Sequence, residues 1–248
     1  MNKIISLVPS ITLTLFDLGL EENITGRTKF CIHPKEKVAG IPTVGGTKKL
    51  NLEKIRSLKP DLIIANKEEN EKEQIETLQK EFNVFVTDVK NIEDNYQMIA
   101  QLGELTGTSD KAKTIIETTK QNFDSISTFS SRWLSGQMNT LYLIWRKPYM
   151  SIGHDTFIHS MLEKIGLKNI FAEQTRYPVI SQLSTVDCQL VLLSSEPYPF
   201  SDKHITEIQE QLPDAKILLV DGEFFSWYGS KMQDAPAYFR ELLSSIDP

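Results

Sequence analysis

The sequence has few cysteines and no long apolar run. Its 248 residues include only Cys31 and Cys188, which are too few and too far apart for a disulfide framework. No apolar run approaches the about 20 residues that a membrane-spanning helix requires. Lys plus Arg number 27 against 33 Asp plus Glu, without a strongly basic stretch. We therefore expect neither a membrane span nor a nucleic-acid partner, since the latter needs a basic patch.

The amino end lacks the pattern of a secretory signal. "MNKIISLVPS" has one lysine and a five-residue apolar run that ends at Pro9, whereas a signal needs about 7–15 apolar residues and a cleavage site with small residues. We expect this segment to be the first buried strand. The chain is then either cytoplasmic or written after removal of a signal.

Strand and helix patterns alternate along the chain. In "NLEKIRSLKPDLIIA", Asn51 is placed to cap a helix, Pro60 to end it, and residues 62–65 to follow as a buried strand. Nearer the amino end, Ser10 is expected to cap a short buried helix. This alternation predicts an α/β fold with parallel sheets.

A long helical pattern separates the two halves. From Ala112 to Ile126, apolar residues recur at helical spacing with no strand pattern between them. We interpret this stretch as one long spine helix that joins two Rossmann-like lobes. The predicted organisation is an amino-terminal α/β lobe over residues 1–107, a linking helix over 108–134 and a carboxy-terminal α/β lobe over 135–248.

This order of elements resembles a known family. The opening "IISLVPSITLTLFDLGL", the block "VGGTKKLNLEKIRSLKPDLIIA" over 44–65 and, more weakly, "HDTFIHSMLEKIGLKNIFA" over 154–172 resemble the class III periplasmic substrate-binding proteins. These are the helical-backbone metal receptors that include the vitamin B12, iron–siderophore and haem binders of ABC importers. The nearest likeness is to the cobalamin-binding type. The resemblance implies a ligand held between the lobes, a small closure on binding, and no enzymatic activity.

The resemblance also implies a docking residue. Glu53, in "NLEKI", matches the glutamate with which the first lobe contacts arginines of the importer permease. The alternative is an ordinary first-turn carboxylate favoured by the helix dipole. In the second lobe, "VISQLSTVDCQLVLL" is too short for the matching helix and has Asp187 where a proline is common. A cytosolic role without an importer therefore stays open.

Polar and aromatic segments follow the predicted strands, where open α/β folds bind ligands. They are "TKFCIHP", "VGGTK", "ANKEEN", "WRKPY", "SSEPYPF" and "DGEFFSWYG". Aromatic walls with a few polar anchors suit a large planar ligand, although the aromatics could instead be core and the glycines a simple turn. The candidate ligand-contacting residues are Lys29, Cys31, His33, Gly45, Gly46, Lys67, Glu68, Trp145, Arg146, Glu196, Tyr198, Phe200, Trp227 and Tyr228.

Cys31 and His33 allow three interpretations. If the segment is extended, both side chains project from one side, but two ligands do not complete a tetrahedral metal site. A loop thiol and a polar residue before a proline would be ordinary. We prefer the hypothesis that Cys31 or His33 contacts a metal already held by its organic chelator, as an axial ligand would.

The function expected from these patterns is that of a binding protein. It would capture a metal chelate, cobalamin-like first and iron–siderophore or haem second, for ABC-type uptake. It would act as a monomer in the periplasm or cell envelope and have no intrinsic cofactor. The alternative is a cytosolic carrier or sensor of a corrinoid or metal chelate. An enzyme with Cys31 as nucleophile and His33 as base is disfavoured, because no orienting carboxylate or oxyanion hole is visible.

Overall fold

Two compact units make up the chain. The computed structural model describes residues 3–130 and 138–246. The first unit contains the described residues up to Val89, together with Glu93–Thr119 and Tyr228–Lys231. The second contains Lys90–Ile92, Lys120–Trp227 and the described residues from Met232 onward.

The first unit is built on a four-stranded parallel sheet in the order β2-β1-β3-β4. Its strands are β1 (Ile4–Ser6), β2 (Ile24–Arg27), β3 (Leu62–Asn66) and β4 (Val84–Thr87). Its helices are α1 (Pro9–Asp17), α2 (Lys35–Val38), α3 (Leu52–Leu58), α4 (Lys72–Gln79) and most of α5 (Ile92–Thr106). Every residue of β3 is buried, as expected of a central parallel strand that helices cover on both faces.

Local sequence signals determine where two helices of the first unit begin. Asn51 caps α3 as predicted, because its Oδ1 accepts a hydrogen bond of 3.0 Å from the Lys54 amide. The prediction of Ser10 as a cap was wrong. Helix α1 begins at Pro9, and Ser10 lies inside its first turn, because proline lacks the amide hydrogen that a first-turn position leaves unpaired.

The long helix α6 (Ser109–Ser130) leads from the first unit into the second. No proline or glycine interrupts it. Ala112, Ile115, Phe123 and Ile126 are buried along it, as the helical spacing predicted. The last residues of the predicted helix, 131–134, lie outside the described residues.

The second unit has a four-stranded parallel sheet in the order β10-β9-β5-β7. Its strands are β5 (Asn139–Leu143), β7 (Lys168–Asn169), β9 (Leu190–Ser194) and β10 (Lys216–Val220), and β6 (Tyr149–Met150) pairs antiparallel with β8 (Val179–Ile180). Its helices are α7 (Phe157–Lys164), α8 (Asp202–Gln209), α9 (Glu223–Ser226) and α10 (Ala235–Ile246). The predicted α/β class with two Rossmann-like, parallel-sheet lobes is confirmed.

Candidate ligand-binding loops

The "TKFCIHP" segment, residues 28–34, forms a turn rather than a strand. The Cys31 amide donates to the Thr28 carbonyl at 3.2 Å, and the Cys31 side chain is fully buried with its Sγ 3.1 Å from Thr28 Oγ1. Phe30 and Ile32 are 49% and 51% exposed. The neighbours of Cys31 therefore offer the apolar surface of this loop, while the thiol faces inward.

The chemistry of the Cys31 thiol follows from its burial. Burial raises the pKa of Cys31, hydrogen bonds with Thr12 and Thr28 oppose this rise in part, and the charge of Glu69 adds the smallest contribution, a further rise. The thiolate, and not the thiol, is the metal ligand and the nucleophile. A raised pKa therefore disfavours both metal binding and nucleophilic attack by Cys31. Within residues 3–130 and 138–246, no group of three or more His, Cys, Asp and Glu could hold a metal ion. The geometry favours the ordinary loop-thiol alternative, and the metal roles of Cys31 and half-buried His33 stay predictions.

Gly45 and Gly46 form a turn, which was the alternative to a direct role in ligand binding. Gly45 has φ +110°, and a Cβ there would collide with the Lys49 carbonyl. The Gly46 amide donates to that same carbonyl at 2.9 Å. A Cβ at Gly46 would lie 3.2 Å from the ring of Phe30, and Lys29 Nζ lies 5.0 Å from the centre of that ring. The glycine pair thus supports the exposed Phe30 side chain.

Two asparagines fix the loop after β3, and Asn70 Oδ1 accepts a hydrogen bond of 2.8 Å from the Asn66 amide. Asn66 Oδ1 accepts hydrogen bonds from the amides of Glu68 and Glu69 at 2.8 and 3.1 Å. Lys67 is exposed and pairs with Asp88 at 2.8 Å. Lys48 Nζ donates to the Glu68 carbonyl at 2.7 Å. Lys67 and Glu68 are therefore at the carboxyl end of β3, as predicted, on a loop with a fixed backbone.

Tyr228 belongs to the first unit, although the sequence places it within the last loop of the second. Its side chain is buried and its hydroxyl lies 3.5 Å from Glu69 Oε1. Burial, followed by the charge of Glu69, raises the pKa of Tyr228. The next amide, of Gly229, donates to Asn95 Oδ1 at 2.6 Å. No sequence pattern indicated this return of the chain, because it depends on side chains distant in sequence.

An aromatic group follows β5 and β9 in the second unit. Trp145 is 41% exposed and meets the ring of Tyr198 edge-on, with centroids 5.8 Å apart. Tyr198 in turn meets Phe200 at 4.8 Å, and its hydroxyl lies 3.2 Å from His204 Nε2. Phe200 is buried and packs in the core of this unit. Trp145 is therefore the member of this group that exposes a large aromatic surface to solvent.

Arg146 is already neutralised within the second unit. Its Nη2 and Nε donate to Glu207 at 2.6 and 3.1 Å, and the Tyr149 hydroxyl donates to the same carboxylate at 2.6 Å. These bonds lower the pKa of Glu207, with that from Arg146 the strongest. The pair holds the segment that carries Trp145. No sequence pattern indicated Glu207, which is contributed by α8.

Glu196 fastens the last loop of the second unit. Its Oε1 accepts hydrogen bonds from Ser226 Oγ and from Trp227 Nε1, the latter at 3.1 Å. Burial raises the pKa of Glu196, and the charges of Glu223 and Asp221 raise it further, while the two hydrogen bonds oppose the shift. Trp227 is 8% exposed. Glu196 therefore orients Trp227, which presents little of its own surface.

Glu53 stands in the first turn of α3, and its side chain is 85% exposed. Arg56 bridges Glu53 at 2.6 Å and Glu81 at 2.7 Å. The carboxylate is thus accessible to a cationic partner. In the second unit, Leu183–Thr185 forms only a single 3₁₀ turn before β9, in agreement with a segment too short for a matching helix.

Comparison with known proteins settles the family. A family model described as "Periplasmic binding protein" matches residues 4–212. The chain belongs to this family. It is 31% identical over 182 residues to the ABC transporter substrate-binding lipoprotein YvrC of Bacillus subtilis, an alignment that covers 70% of this chain but only 57% of that protein. It is 22% identical to the vitamin B12-binding protein of Pectobacterium carotovorum, over 100% of this chain and 90% of that protein.

Solved structures share the fold. The periplasmic vitamin B12 binding protein BtuF of Vibrio cholerae superposes with a TM-score of 0.83 at 20% identity, over 98% of this chain and 97% of that one. A periplasmic heme binding protein from Pseudomonas aeruginosa superposes with a TM-score of 0.85 at 18% identity, over 100% and 94%.

Family membership confirms the expected non-enzymatic class. Proteins of this periplasmic binding protein family bind solutes for transport rather than convert them.

Among the helices of the described residues, none combines the length and the apolar character needed to cross a bilayer.

Proposed function

We propose that this chain is the substrate-binding protein of an ABC-type importer and that it captures a metal chelate, cobalamin-like or else an iron–siderophore or haem. The chelate is cargo, and the chain needs no resident cofactor. The observation that supports this most is the exposed apolar surface at the carboxyl ends of parallel strands in each unit: Phe30 and Ile32 in the first, Trp145 in the second.

The chemistry of these loops suits a large ligand with apolar faces. Exposed apolar side chains at strand ends are placed to contact a ligand that binds there, and Trp145 is held in place by Tyr198 and by the Arg146–Glu207 pair. The names of the relatives point to the same ligand class. The proposed contact set is Lys29, Cys31, His33, Gly45, Gly46, Lys67, Glu68, Trp145, Arg146, Glu196, Tyr198, Phe200, Trp227 and Tyr228. We add Phe30 and Ile32 to this set because both are exposed.

A permease is the proposed protein partner, and Glu53 the docking carboxylate. The protein would act as a monomer in the periplasm or cell envelope. The second candidate function is a cytosolic carrier or sensor of the same ligands. It is favoured by one observation, the single 3₁₀ turn Leu183–Thr185 where a second docking helix would stand.

Absorption titrations with a cobalamin, a haem and a ferric siderophore test the ligand class. We expect saturable binding of one of them, weakened about tenfold by Trp145→Ala, because stacking of an aromatic ring contributes about that much. Trp227→Ala should weaken it as well. The matched control is Tyr177→Ala, an aromatic residue of the second unit that is 37% exposed and is not in the proposed contact set. Failure of all three ligands to bind would refute the proposal.

The same titrations separate the roles of the "TKFCIHP" side chains. Weaker binding by His33→Ala or Cys31→Ser would support contact with the chelated metal. Unchanged binding by both, with weaker binding by Phe30→Ala, would assign the contact to the exposed apolar residues instead. Loss of a stoichiometric bound zinc in the His33 and Cys31 variants would show a bare metal site and contradict the chelate proposal for this loop.

A further inference from the structure

His204 is a buried histidine outside the proposed contact set. It lies in the first turn of α8, directly after the loop that follows β9, and is 2% exposed. Its ring meets the rings of Tyr198 and Phe200 edge-on, with centroids 5.5 and 5.4 Å apart. His204 therefore supports the aromatic group that includes Trp145.

The neighbours of its two ring nitrogens determine where neutral His204 carries its hydrogen. The Ser201 amide donates to Nδ1 at 2.9 Å, so Nδ1 is an acceptor and carries no hydrogen. The hydrogen of the neutral ring then lies on Nε2, which is 3.2 Å from the Tyr198 hydroxyl oxygen. This donor holds the Tyr198 ring, because a buried donor without its acceptor costs free energy.

Tyr198 transmits this support to Trp145. The two rings meet edge-on, with centroids 5.8 Å apart. Hydrogen bonds from Arg146 to Glu207 and to Tyr198 raise the pKa of Arg146, so Tyr198 is also joined to the residue next to Trp145. The orientation of Trp145 therefore depends on Tyr198, and that of Tyr198 on His204.

The charged groups around His204 oppose its protonation. Arg146 faces it from the loop after β5, while Lys203 and Glu207 lie on α8 itself and Tyr198 faces Nε2. Burial lowers the pKa of His204, the charges of Lys203 and Arg146 lower it further, and the charge of Glu207 opposes the shift. The first turn of a helix is also unfavourable for a cation. His204 is therefore neutral near pH 7 and gains its proton below the ordinary histidine value of about 6.5.

Protonation would set two donors against each other. The new hydrogen on Nδ1 would point at the Ser201 amide hydrogen, and the bond between the two groups would be lost. Ser201 Oγ lies 3.2 Å from Nδ1 and can accept the new hydrogen only if the ring turns away from the amide. Such a turn withdraws Nε2 from Tyr198, and the buried cation beside Arg146 costs further free energy.

We propose that neutral His204 is a positioning residue for Trp145 and that its protonation releases Tyr198 and Trp145 from the orientation described. The consequence for binding rests on the proposed function: the loops hold their chelate at neutral pH and more weakly in acid. The strands need not move, because the change acts through the loops after β5 and β9 and the first turn of α8.

The protein without ligand tests the positioning by nuclear magnetic resonance. The ring nitrogens of His204 should show the hydrogen on Nε2 at neutral pH. The indole resonance of Trp145 should shift in step with the His204 titration as pH falls from about 7.5 to about 4.5. His204→Gln should remove that shift, because Gln at this helix position can accept from the Ser201 amide but does not titrate.

A second buried histidine provides the matched control. His159 also lies in the first turn of a helix of the second unit, α7, and His159→Gln should keep the Trp145 shift. Circular dichroism over the same pH range checks that each protein stays folded. A hydrogen on Nδ1 at neutral pH, no shift of Trp145, or a shift that persists in His204→Gln would overturn the inference.

Titrations with a cobalamin, a haem and a ferric siderophore test the consequence for binding. The Kd of the chelate that binds should rise by up to about tenfold between pH 7.5 and 4.5, the factor expected for removal of Trp145. His204→Phe keeps a ring beside Tyr198 but loses both hydrogen bonds, so it should bind weakly at every pH. His204→Gln should restore binding at neutral pH and remove most of its pH dependence.

The outcomes separate this inference from the proposed function. Wild-type affinity and pH dependence in His204→Phe would show that His204 only fills space, and would overturn the inference. If no chelate binds while Trp145 follows the His204 titration in the free protein, the proposed function fails and the positioning role is supported.

Discussion

The connection before β3 and the connection before β9 hold equivalent places in two sheets of the same order, yet they differ in form and charge. The first is a helix with Glu53 exposed and paired with Arg56. The second is a 3₁₀ turn with apolar surface beside it. The strands and their buried faces are shared, so the fold does not dictate this difference. It shows that one strand order accommodates two different connections at the same place.

The largest expected effect is that of Glu53 on uptake. Glu53→Arg should abolish importer-dependent uptake and leave ligand affinity unchanged, because reversal of an exposed charge alters partner recognition and not the ligand loops. Uptake of the radiolabelled chelate by cells and titration of the purified variant measure the two effects. Glu73→Arg, an exposed carboxylate of α4, is the control. Equal uptake by wild type and Glu53→Arg would favour the cytosolic candidate function.

The buried residues of the two connections should have similar effects on stability. Ile55→Ala and Leu183→Ala should each lower the free energy of unfolding by about 2–5 kcal/mol, since both side chains are enclosed and a cavity remains. Urea unfolding measures this, with Leu105→Ala, 41% exposed on α5, as the control. A loss near zero for Leu183→Ala would mean that the turn is a dispensable surface loop.

Capping should distinguish the two connections. Asn51→Ala removes the acceptor of the Lys54 amide and should cost about 0.5–2 kcal/mol of stability. Gln182 precedes the 3₁₀ turn and makes no side-chain cap, so Gln182→Ala should change stability by less than about 0.5 kcal/mol. Thermal unfolding of both variants provides the measurement, and equal losses would show that the two connections begin in the same way.

The smallest effect is on the pH dependence of stability, where two glutamates differ in sign. Burial raises the folded pKa of Glu196, so its contribution to stability is lost as pH rises from the unfolded pKa of about 4.3 through the folded one. Bonds to Arg56 lower the pKa of Glu81, so its contribution is present above the unfolded pKa and lost as pH falls through the folded one.

Replacing each glutamate with glutamine tests these signs. Glu196→Gln should become more stable than wild type as pH rises above about 4.3, because Gln keeps an acceptor for Ser226 and Trp227 without the buried charge. Glu81→Gln should be less stable than wild type near neutral pH and equal to it at acid pH. Urea unfolding across this range measures both differences, and a common sign would contradict the assignment.

Much of the fold could be predicted because its signals are local. Asn51, Pro60 and the apolar run after it determine a capped helix followed by a buried strand whatever the rest of the chain does. The spacing from Ala112 to Ile126 likewise indicates a helix. The wrong prediction of Ser10 as a cap reflects two competing local signals. Ser10 is a favourable capping residue, but Pro9 is a favourable first residue of a helix, and α1 begins at Pro9.

The candidate site was predicted less completely. Strand-end loops follow from topology, so Trp145, Lys67 and Glu68 lie where the sequence placed them. The direction of side chains within a turn does not follow, and Cys31 faces inward while Phe30 and Ile32 face outward. Their roles toward a ligand stay predictions for titration to decide.

Apolar periodicity and caps act within one element, and for that reason the α/β class, the two parallel sheets and the spine helix could be predicted from the sequence. The family followed from the resemblance of whole sequence blocks and not from these patterns. Which side chains meet depends on the folded chain. Glu207 reaches Arg146 from α8, Glu196 holds Trp227, and Tyr228 returns to the first unit beside Glu69. Each of these contacts joins residues separated by 31 to 159 positions, and no local pattern specifies a pairing over such a distance.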